Sequence, residues 1–281
     1  MRHGFTKHNK NGVVFLSVPS FDETGLCESC FSTRLGGVSK APLDSMNLGF
    51  NRGDDRLSVM ENHDLLGKAA GLPLNRLVAF SQIHENGVCV ATSDDAGEAF
   101  LSEKREFDSV ITATPELPVA TYHADCVPVF LLDPVRRVCG VAHAGWRGTA
   151  LKTPARAVSE MVSRFGCDAS DILAAIGPSI GSCCFETHSD VPDAMLSSFG
   201  DGAKPFIESL ENGKFRVSLP GLNTLSLLEC GIHDENITLS DECTCCKSDL
   251  YWSHRKTGGI RGTMAAIIML KPRGDEHLKV K

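Results

Sequence analysis

The sequence predicts a single domain of mixed α/β layers, and three observations carry that prediction. Strand-like runs rich in branched residues recur through the middle of the chain, and several are continuously apolar, the pattern of sheets covered on both faces. Segments with helical periodicity fall between and beside them. At 281 residues the chain is near the upper end of what one hydrophobic core organises. The expected domain is 1–281, with a polar tail from about Lys271 that frays.

Taken in order, Val13–Val18 is the first predicted strand. Asp54 to Ala70 then reads as a helix in which Leu57, Met60, Leu65 and Leu66 leave the charged residues on the opposite side. Leu77–Phe80 and Val88–Ala91 are short predicted strands, followed by Val119–Tyr122, Val127–Leu132 and Val138–Ala142. A second helix begins at about Thr149 or Thr153 and ends at Arg164. Thr153 with Pro154 suits an N-cap followed by proline in the first turn, and Gly166 suits the stop. Within it Val158, Met161, Val162 and Phe165 form one apolar stripe, read as core packing. Leu173–Ile176 is a further strand. A break at Pro220-Gly221 precedes a third helix over Leu222–Cys230, and Met264–Leu270 is the last strand.

Composition narrows the function classes. Hydrophobic residues make up 42% and charged residues 22%, a globular balance that argues against disorder. A net charge of −7 and the lack of any Lys/Arg-rich run argue against nucleic-acid binding. A small anionic ligand is compatible, since it needs only one or two arginines. No apolar run reaches the roughly 20 residues that span a bilayer, and Val13–Val18 is too short for a signal-peptide core. The expected location is the cytoplasm, with no membrane partner. The 12 cysteines are then expected to be mostly reduced, buried, small apolar side chains rather than a disulfide framework.

Three segments end strand-like runs with metal-competent side chains: Ser81-Gln82-Ile83-His84, His123-Ala124-Asp125-Cys126, and the run from His143 through Gly145, Trp146 and Arg147 to Gly148. Two imidazoles and one thiolate, His84, Cys126 and His143, suit zinc and leave a fourth position for water or substrate. One thiolate leaves the site at net positive charge, so the ion keeps its Lewis acidity. Taken singly, His84 also suits a surface or packing role and Cys126 a core thiol. His123 is ambiguous: on a strand it faces away from Cys126, whereas in a turn both could reach one ion. The stretch from His143 to Gly148 offers close backbone approach, a flat indole and a bidentate anion donor in Arg147; the same residues suit a tight turn with Arg147 paired to a carboxylate. Cys27 and Cys30 lead into a strand, which weakens them as a metal knuckle, although Cys243, Cys245 and Cys246 could join them on a second ion.

A series of segments runs in order through most of the chain: Phe31-Ser-Thr-Arg-Leu-Gly-Gly-Val-Ser, Ser45-Met-Asn-Leu-Gly, Gly53-Asp-Asp, Gln82-Ile-His84, Ala124-Asp-Cys126-Val-Pro and His143-Ala-Gly-Trp-Arg-Gly. It continues through Ile176-Gly-Pro-Ser-Ile-Gly-Ser-Cys-Cys-Phe-Glu186, Cys243-Thr and Trp252-Ser-His-Arg255. In these segments the chain resembles the laccase-domain family, once labelled multicopper polyphenol oxidases and now regarded as zinc-dependent purine nucleoside phosphorylases. The resemblance implies a layered α/β/β/α sandwich with mixed sheets, and catalytic zinc on His84, Cys126 and His143. It also implies phosphorolysis of adenosine, inosine, guanosine and methylthioadenosine, with adenosine deamination as a second activity. Two positions depart from the family pattern. Glu85 stands where a glycine is usual, and Ser253-His254-Arg255-Lys256 replaces a tyrosine-arginine-arginine run; both could retune substrate choice.

Within the matched segments, Arg34, Arg147 and Arg255 are the candidates for phosphate, and Asn47 and Gln82 for ribose hydroxyls. Asp125 is the candidate for orienting a metal-bound imidazole. The partners implied are purine nucleosides and phosphate, with the oligomeric state open. Three rival readings remain. Copper could occupy the two-His-one-Cys set adventitiously, as in a phenol oxidase. A metal-free hydrolase would use Cys126 as nucleophile and His143 as base on amide bonds or cell-wall precursors. A structural zinc module would hold its ion with four protein ligands and bind a protein partner.

Overall fold

The structure is a computed structural model and describes residues 1–273. Among these the strands are β1 (Arg2–His3), β2 (Thr6–Lys10), β3 (Val13–Ser17), β4 (Cys27–Ser32), β5 (Val88–Val90), β6 (Ser109–Thr112), β7 (Val119–His123), β8 (Val127–Asp133), β9 (Val138–Ala144), β10 (Leu173–Ile176), β11 (Glu186–Thr187), β12 (Ile207–Ser209), β13 (Phe215–Val217), β14 (Ile237–Leu239) and β15 (Met264–Leu270). The α-helices are α1 (Pro19–Asp22), α2 (Arg56–Ala70), α3 (Trp146–Ala150), α4 (Thr153–Phe165), α5 (Asp190–Phe199), α6 (Leu219–Glu229) and α7 (His254–Thr257).

Two large mixed or antiparallel sheets form the centre. One has seven strands in the order β1-β14-β10-β8-β9-β6-β5, and the other has five in the order β2-β3-β4-β15-β7. A small sheet, β11-β13-β12, stands apart from both. The side-chain alternation of β15 shows how the layers stack. Met264, Ala266, Ile268 and Leu270 share a core with Phe130, Leu132 and Val141 of the seven-stranded sheet, while Ala265, Ile267 and Met269 pack on the opposite face with Leu66 and Ala69 of α2. On the far face of the seven-stranded sheet, Val129, Leu131 and Ala142 meet Val158 and Met161 of α4, Met195 of α5 and Leu222 of α6. The layers therefore run α/β/β/α, the architecture the resemblance implies.

The long apolar runs fold as expected. Leu173–Ile176 and Met264–Leu270 are strands with those bounds, and Val119–Tyr122, Val127–Leu132 and Val138–Ala142 each extend by one or two residues. Leu77–Phe80 does not form a strand. Its side chains are buried, but only Val78 bridges to Val119, and Ser81 already bonds the loop at Arg105. The apolar run records burial rather than sheet pairing.

The inward face of α2 also differs from expectation. Leu57 is 73% exposed and Met60 44%, while Val59, Asn62, His63 and Leu66 face the core. Polar side chains take those positions because they satisfy buried backbone. Asn62 accepts from Val38 N–H and donates to Asn47 C=O, and His63 bonds Val59 C=O.

The second helix begins at Thr153, the later of the two expected starts, with the short α3 before it. Lys152, with φ 52°, breaks α3 from α4, so Thr153 is the first residue of α4 rather than its cap, and its hydroxyl donates to Glu85 C=O. Val162 lies 41% exposed, off the buried stripe of Val158 and Met161. Helix α6 begins at Leu219, capped by the Ser218 hydroxyl on Gly221 N–H, so Pro220 sits in the first turn, where its missing donor costs nothing. Helix α5 and the small sheet carried no clear signal in the sequence. Lys271 bonds Leu26 C=O through its backbone N–H, and beyond Arg273 the expected frayed tail lies outside the described residues. Among the described residues no helix is long and apolar enough to cross a membrane.

Candidate active site

Four strand ends bring the chemistry together. Strand β7 finishes the five-stranded sheet at His123, and the chain crosses through Ala124-Asp125-Cys126 to begin β8 in the seven-stranded sheet. Cys126 is thus carried on the crossover between sheets. His143 stands near the end of β9, paired with Pro128 of β8, and Asp108 immediately precedes β6, which pairs Ser109 with Ala142. His84 comes from the loop before β5.

Asp108 ties these parts into one unit. Its carboxylate accepts His143 Nδ1 at 2.9 Å and the backbone N–H groups of Ile83, His84 and Glu85 at 3.3, 3.1 and 2.8 Å. Burial opposes its charge, yet the hydrogen bonds from His143, Glu85 and His84 hold its carboxyl below the usual range. With Nδ1 engaged, His143 presents Nε2 to the cleft. The left-handed backbone of His84, φ 63°, is held by the same carboxylate, and Asp125, φ 83°, is held by Thr244 Oγ1 and Arg255 N–H.

One donor atom from each of His84, Cys126 and His143 lies within 4.8 Å of the others, and His84 Nε2 is 3.9 Å from Cys126 Sγ. Burial penalises the Cys126 thiolate, but the His143 charge and hydrogen bonds from His143 and His84 outweigh it and push the thiol down to about 6. Burial likewise penalises the His143 imidazolium, but the Cys126 charge and the Asp108 bond push the ring up to about 9. A half-buried thiolate therefore asks for a cation beside it, a place that a proton or a metal ion can fill. Gly145 leaves room for one. A Cβ there would stand 3.0 Å from His84 Cδ2 and 3.1 Å from Cys126 Sγ. Two imidazoles and one thiolate fit zinc by donor type and number.

His123 is beside this trio, with its ring 5.2 Å from that of His143, but it is not a candidate ligand. Residues 124–126 form a bend, and both His123 nitrogens are engaged, by Thr121 Oγ1 at 2.8 Å and Cys126 C=O at 3.1 Å. It lines the pocket.

Two chambers meet at the trio, both bordered by His84, Cys126, Arg52 and Arg261. The first holds Phe50, Phe80, Tyr122 and Lys104; the second holds Trp146, Arg147, Phe185 and Arg255. Arg261 bonds Gly262 C=O and Thr263 Oγ1 through Nη1, while its buried Nε finds no partner among the described residues. Burial and the nearby Arg52 charge push Arg261 down to about 10.

Not every sequence candidate reaches the chambers. Arg34 lines neither: it lies 4.0 Å over the Trp252 ring and donates to Ser248 and Asp44 carbonyls. Asn47 is fully buried, with its amide spent on Gly49, Asp54 and Thr263, so it shapes the Gly49–Arg52 wall rather than facing a ligand. Gln82 lines the first chamber but spends its amide clamping the Tyr122 backbone. Asp125 lines the second chamber and orients no imidazole, a task that falls to Asp108. Arg147 is exposed over Trp146, and Arg255 donates to Cys184 and Glu186 carbonyls. Sequence reasoning missed Asp108, Arg52 and Arg261. Phe107-Asp108 directly before a branched run was the only hint of the first; the arginines left none.

A family model described as multi-copper polyphenol oxidoreductase laccase matches residues 28–271. This chain belongs to that laccase family. Among relatives, it is 34% identical to purine nucleoside phosphorylase YlmD of Geobacillus stearothermophilus, covering 84% of this chain and 88% of that one. It is 33% identical to purine nucleoside phosphorylase YfiH of Escherichia coli, covering 91% and 98%. The crystal structure of YlmD from Geobacillus stearothermophilus superposes with a TM-score of 0.89 at 32% identity, covering 95% of this chain and 99% of that one. The matched span takes in all of the laccase-family chain that builds the trio, Asp108 and Arg261.

Proposed function

We propose that this protein is a zinc-dependent purine nucleoside phosphorylase that accepts adenosine, inosine, guanosine and methylthioadenosine, with adenosine deamination as a second activity. The observation that carries the reading is the pair of guanidiniums, Arg52 and Arg261, bordering both chambers beside the His84–Cys126–His143 trio. Two like charges, one of them half-buried with a buried, unpartnered Nε, are relieved by a bound dianion. The relatives named purine nucleoside phosphorylase at 33–34% identity support the same reading.

In phosphorolysis a phosphate oxygen bonds to the anomeric carbon as the glycosidic C–N bond breaks. The bonding pair leaves with the purine, which takes up a proton. Arg52 and Arg261 hold the phosphate at the junction, with Arg147 and Arg255 extending the cationic wall into the second chamber. Flat apolar surface for the base comes from Phe50, Phe80 and Tyr122 on one side and Trp146 and Phe185 on the other. Held by His84, Cys126 and His143, zinc would supply Lewis acidity at that junction. Asp108 keeps the His143 ring in the orientation that presents Nε2. Copper could take the same donors adventitiously.

A second reading has one observation in its favour: Cys126, His143 and Asp108 line up as nucleophile, base and orienting carboxylate, as in a metal-free cysteine hydrolase. The third donor, His84, has no part in that chemistry. Metal-quantified protein incubated with adenosine, with and without phosphate, separates the readings. Adenine that appears only with phosphate, and vanishes after chelation, is the expected result. No phosphate-dependent adenine would overturn the leading reading, and amide cleavage that survives chelators would establish the second.

A further inference from the structure

Away from the trio, four cysteines from two loops converge. Cys183 and Cys184 lie between β10 and β11, and Cys243 and Cys246 follow β14. Their four sulfurs all lie within 4.8 Å of one another, with Cys183 Sγ and Cys184 Sγ at 3.6 and 3.4 Å from Cys246 Sγ. All are free thiols. A mixed site of Cys27 and Cys30 with the later cysteines, disfavoured from the sequence, does not occur, because those two point to opposite faces of β4, one into each core.

We propose that Cys183, Cys184, Cys243 and Cys246 bind a second divalent ion, zinc, as a closed tetrathiolate site that cross-links the two loops. Tetrahedral zinc with bonds of about 2.3 Å places its sulfurs about 3.8 Å apart, close to the separations seen. Cys243 and Cys246 have the two-residue spacing of a metal knuckle, and an all-sulfur donor set selects a thiophilic ion over magnesium or calcium. The local backbone is built around the sulfurs. Gly181 N–H donates to Cys243 Sγ at 3.2 Å, and a Cβ on Gly181 would stand 3.2 Å from Cys183 Sγ and 3.3 Å from Cys243 Cβ. Four protein ligands leave no open position, so the ion is structural.

Its place in the fold gives it a task. Phe185 and Arg255 of the second chamber hang on one loop: Arg255 donates to the Cys184 and Glu186 carbonyls. Thr244, within the knuckle, donates to Asp125, the neighbour of Cys126. The ion clamps the wall of the second chamber onto the turn that carries Cys126.

The test is metal analysis of the holoprotein prepared without oxidant and reloaded with Zn²⁺ or Co²⁺. C183S/C246S should lose one ion per chain and keep the other, whereas H84A/C126S should lose the other ion. In the cobalt form, sulfur-to-cobalt absorption should fall to about one fifth in C183S/C246S, since of the five original thiolate ligands only Cys126 then still binds cobalt. An unchanged metal ratio in that variant overturns the proposal. Should the variant fail to fold, timed alkylation of the wild-type protein with peptide mapping decides. The four thiols should be protected by Zn²⁺ and exposed after chelation. Equal alkylation rates with and without the metal, or a disulfide joining Cys246 to Cys183 or Cys184 in the zinc-loaded protein, refute the site.

Discussion

Asp108 does at residue scale what no single ligand can. One carboxylate fixes the His143 ring and three consecutive backbone N–H groups of the His84 turn. Asp108→Asn keeps the shape and removes the charge, so zinc affinity should fall about 10- to 100-fold, read by competition with a chromophoric chelator. Unchanged affinity would show that the trio needs no such orientation. In the proposed phosphate site, Arg261 is the corresponding residue. Arg261→Met should raise the KM for phosphate by on the order of tenfold or more, with a smaller change for adenosine, because a charged hydrogen-bond donor is worth about 1.5–3 kcal/mol. Equal effects on both substrates would remove Arg261 from the phosphate assignment. The cysteines, too, sort by environment. Cys27, Cys30, Cys89, Cys139 and Cys167 are buried thiols, but the other seven are half-buried or exposed, so the expectation that most are buried core side chains does not hold.

At the scale of elements, the junction of β9 with α3 sets the room for the ion. Gly145 has φ −68°, a value any residue adopts, so Gly145→Ala acts only through the Cβ that would crowd His84 and Cys126. Zinc affinity should drop while the metal-free protein's unfolding free energy moves by under about 1 kcal/mol; a variant with wild-type affinity would contradict the crowding. Helix α2 makes a different prediction. Its buried His63, stacked on Phe50 and facing Tyr122, is pushed down to about 4 from 6.5, chiefly by burial, with Val59 C=O opposing and Lys104 assisting. The folded state prefers the neutral ring. That contribution is complete above pH 6.5 and is lost as pH falls from there through about 4, a loss of about 3 kcal/mol. Denaturant titrations at pH 7 and pH 4 should therefore show a smaller difference for His63→Gln than for wild type. Identical differences would mean that His63 protonates equally well folded and unfolded.

For the whole molecule, the sandwich interface holds the site, because Cys126 lies where the chain passes from one sheet to the other. Phe130, fully buried between the sheets, is the test of that interface. Phe130→Ala should cost about 3–5 kcal/mol in equilibrium unfolding of the metal-free protein. A loss below about 1 kcal/mol would mean that the layers close without it.

Much of this molecule was legible in one dimension. Continuous apolar runs located the central strands because burial on both faces removes the polar alternation of a surface sheet, and the left-handed stop at Gly166 was readable from residue type alone. The donor types His84, Cys126 and His143 were likewise visible as chemistry at strand ends. Convergence was not. Asp108, Arg52, Arg261 and the pairing of Cys183-Cys184 with Cys243 and Cys246 follow from which strands neighbour one another in the two sheets, and no local spacing encodes that. The inward face of α2 was misread for the same reason: Asn62 and His63 are buried by partners far along the chain, and only the packed structure supplies those partners.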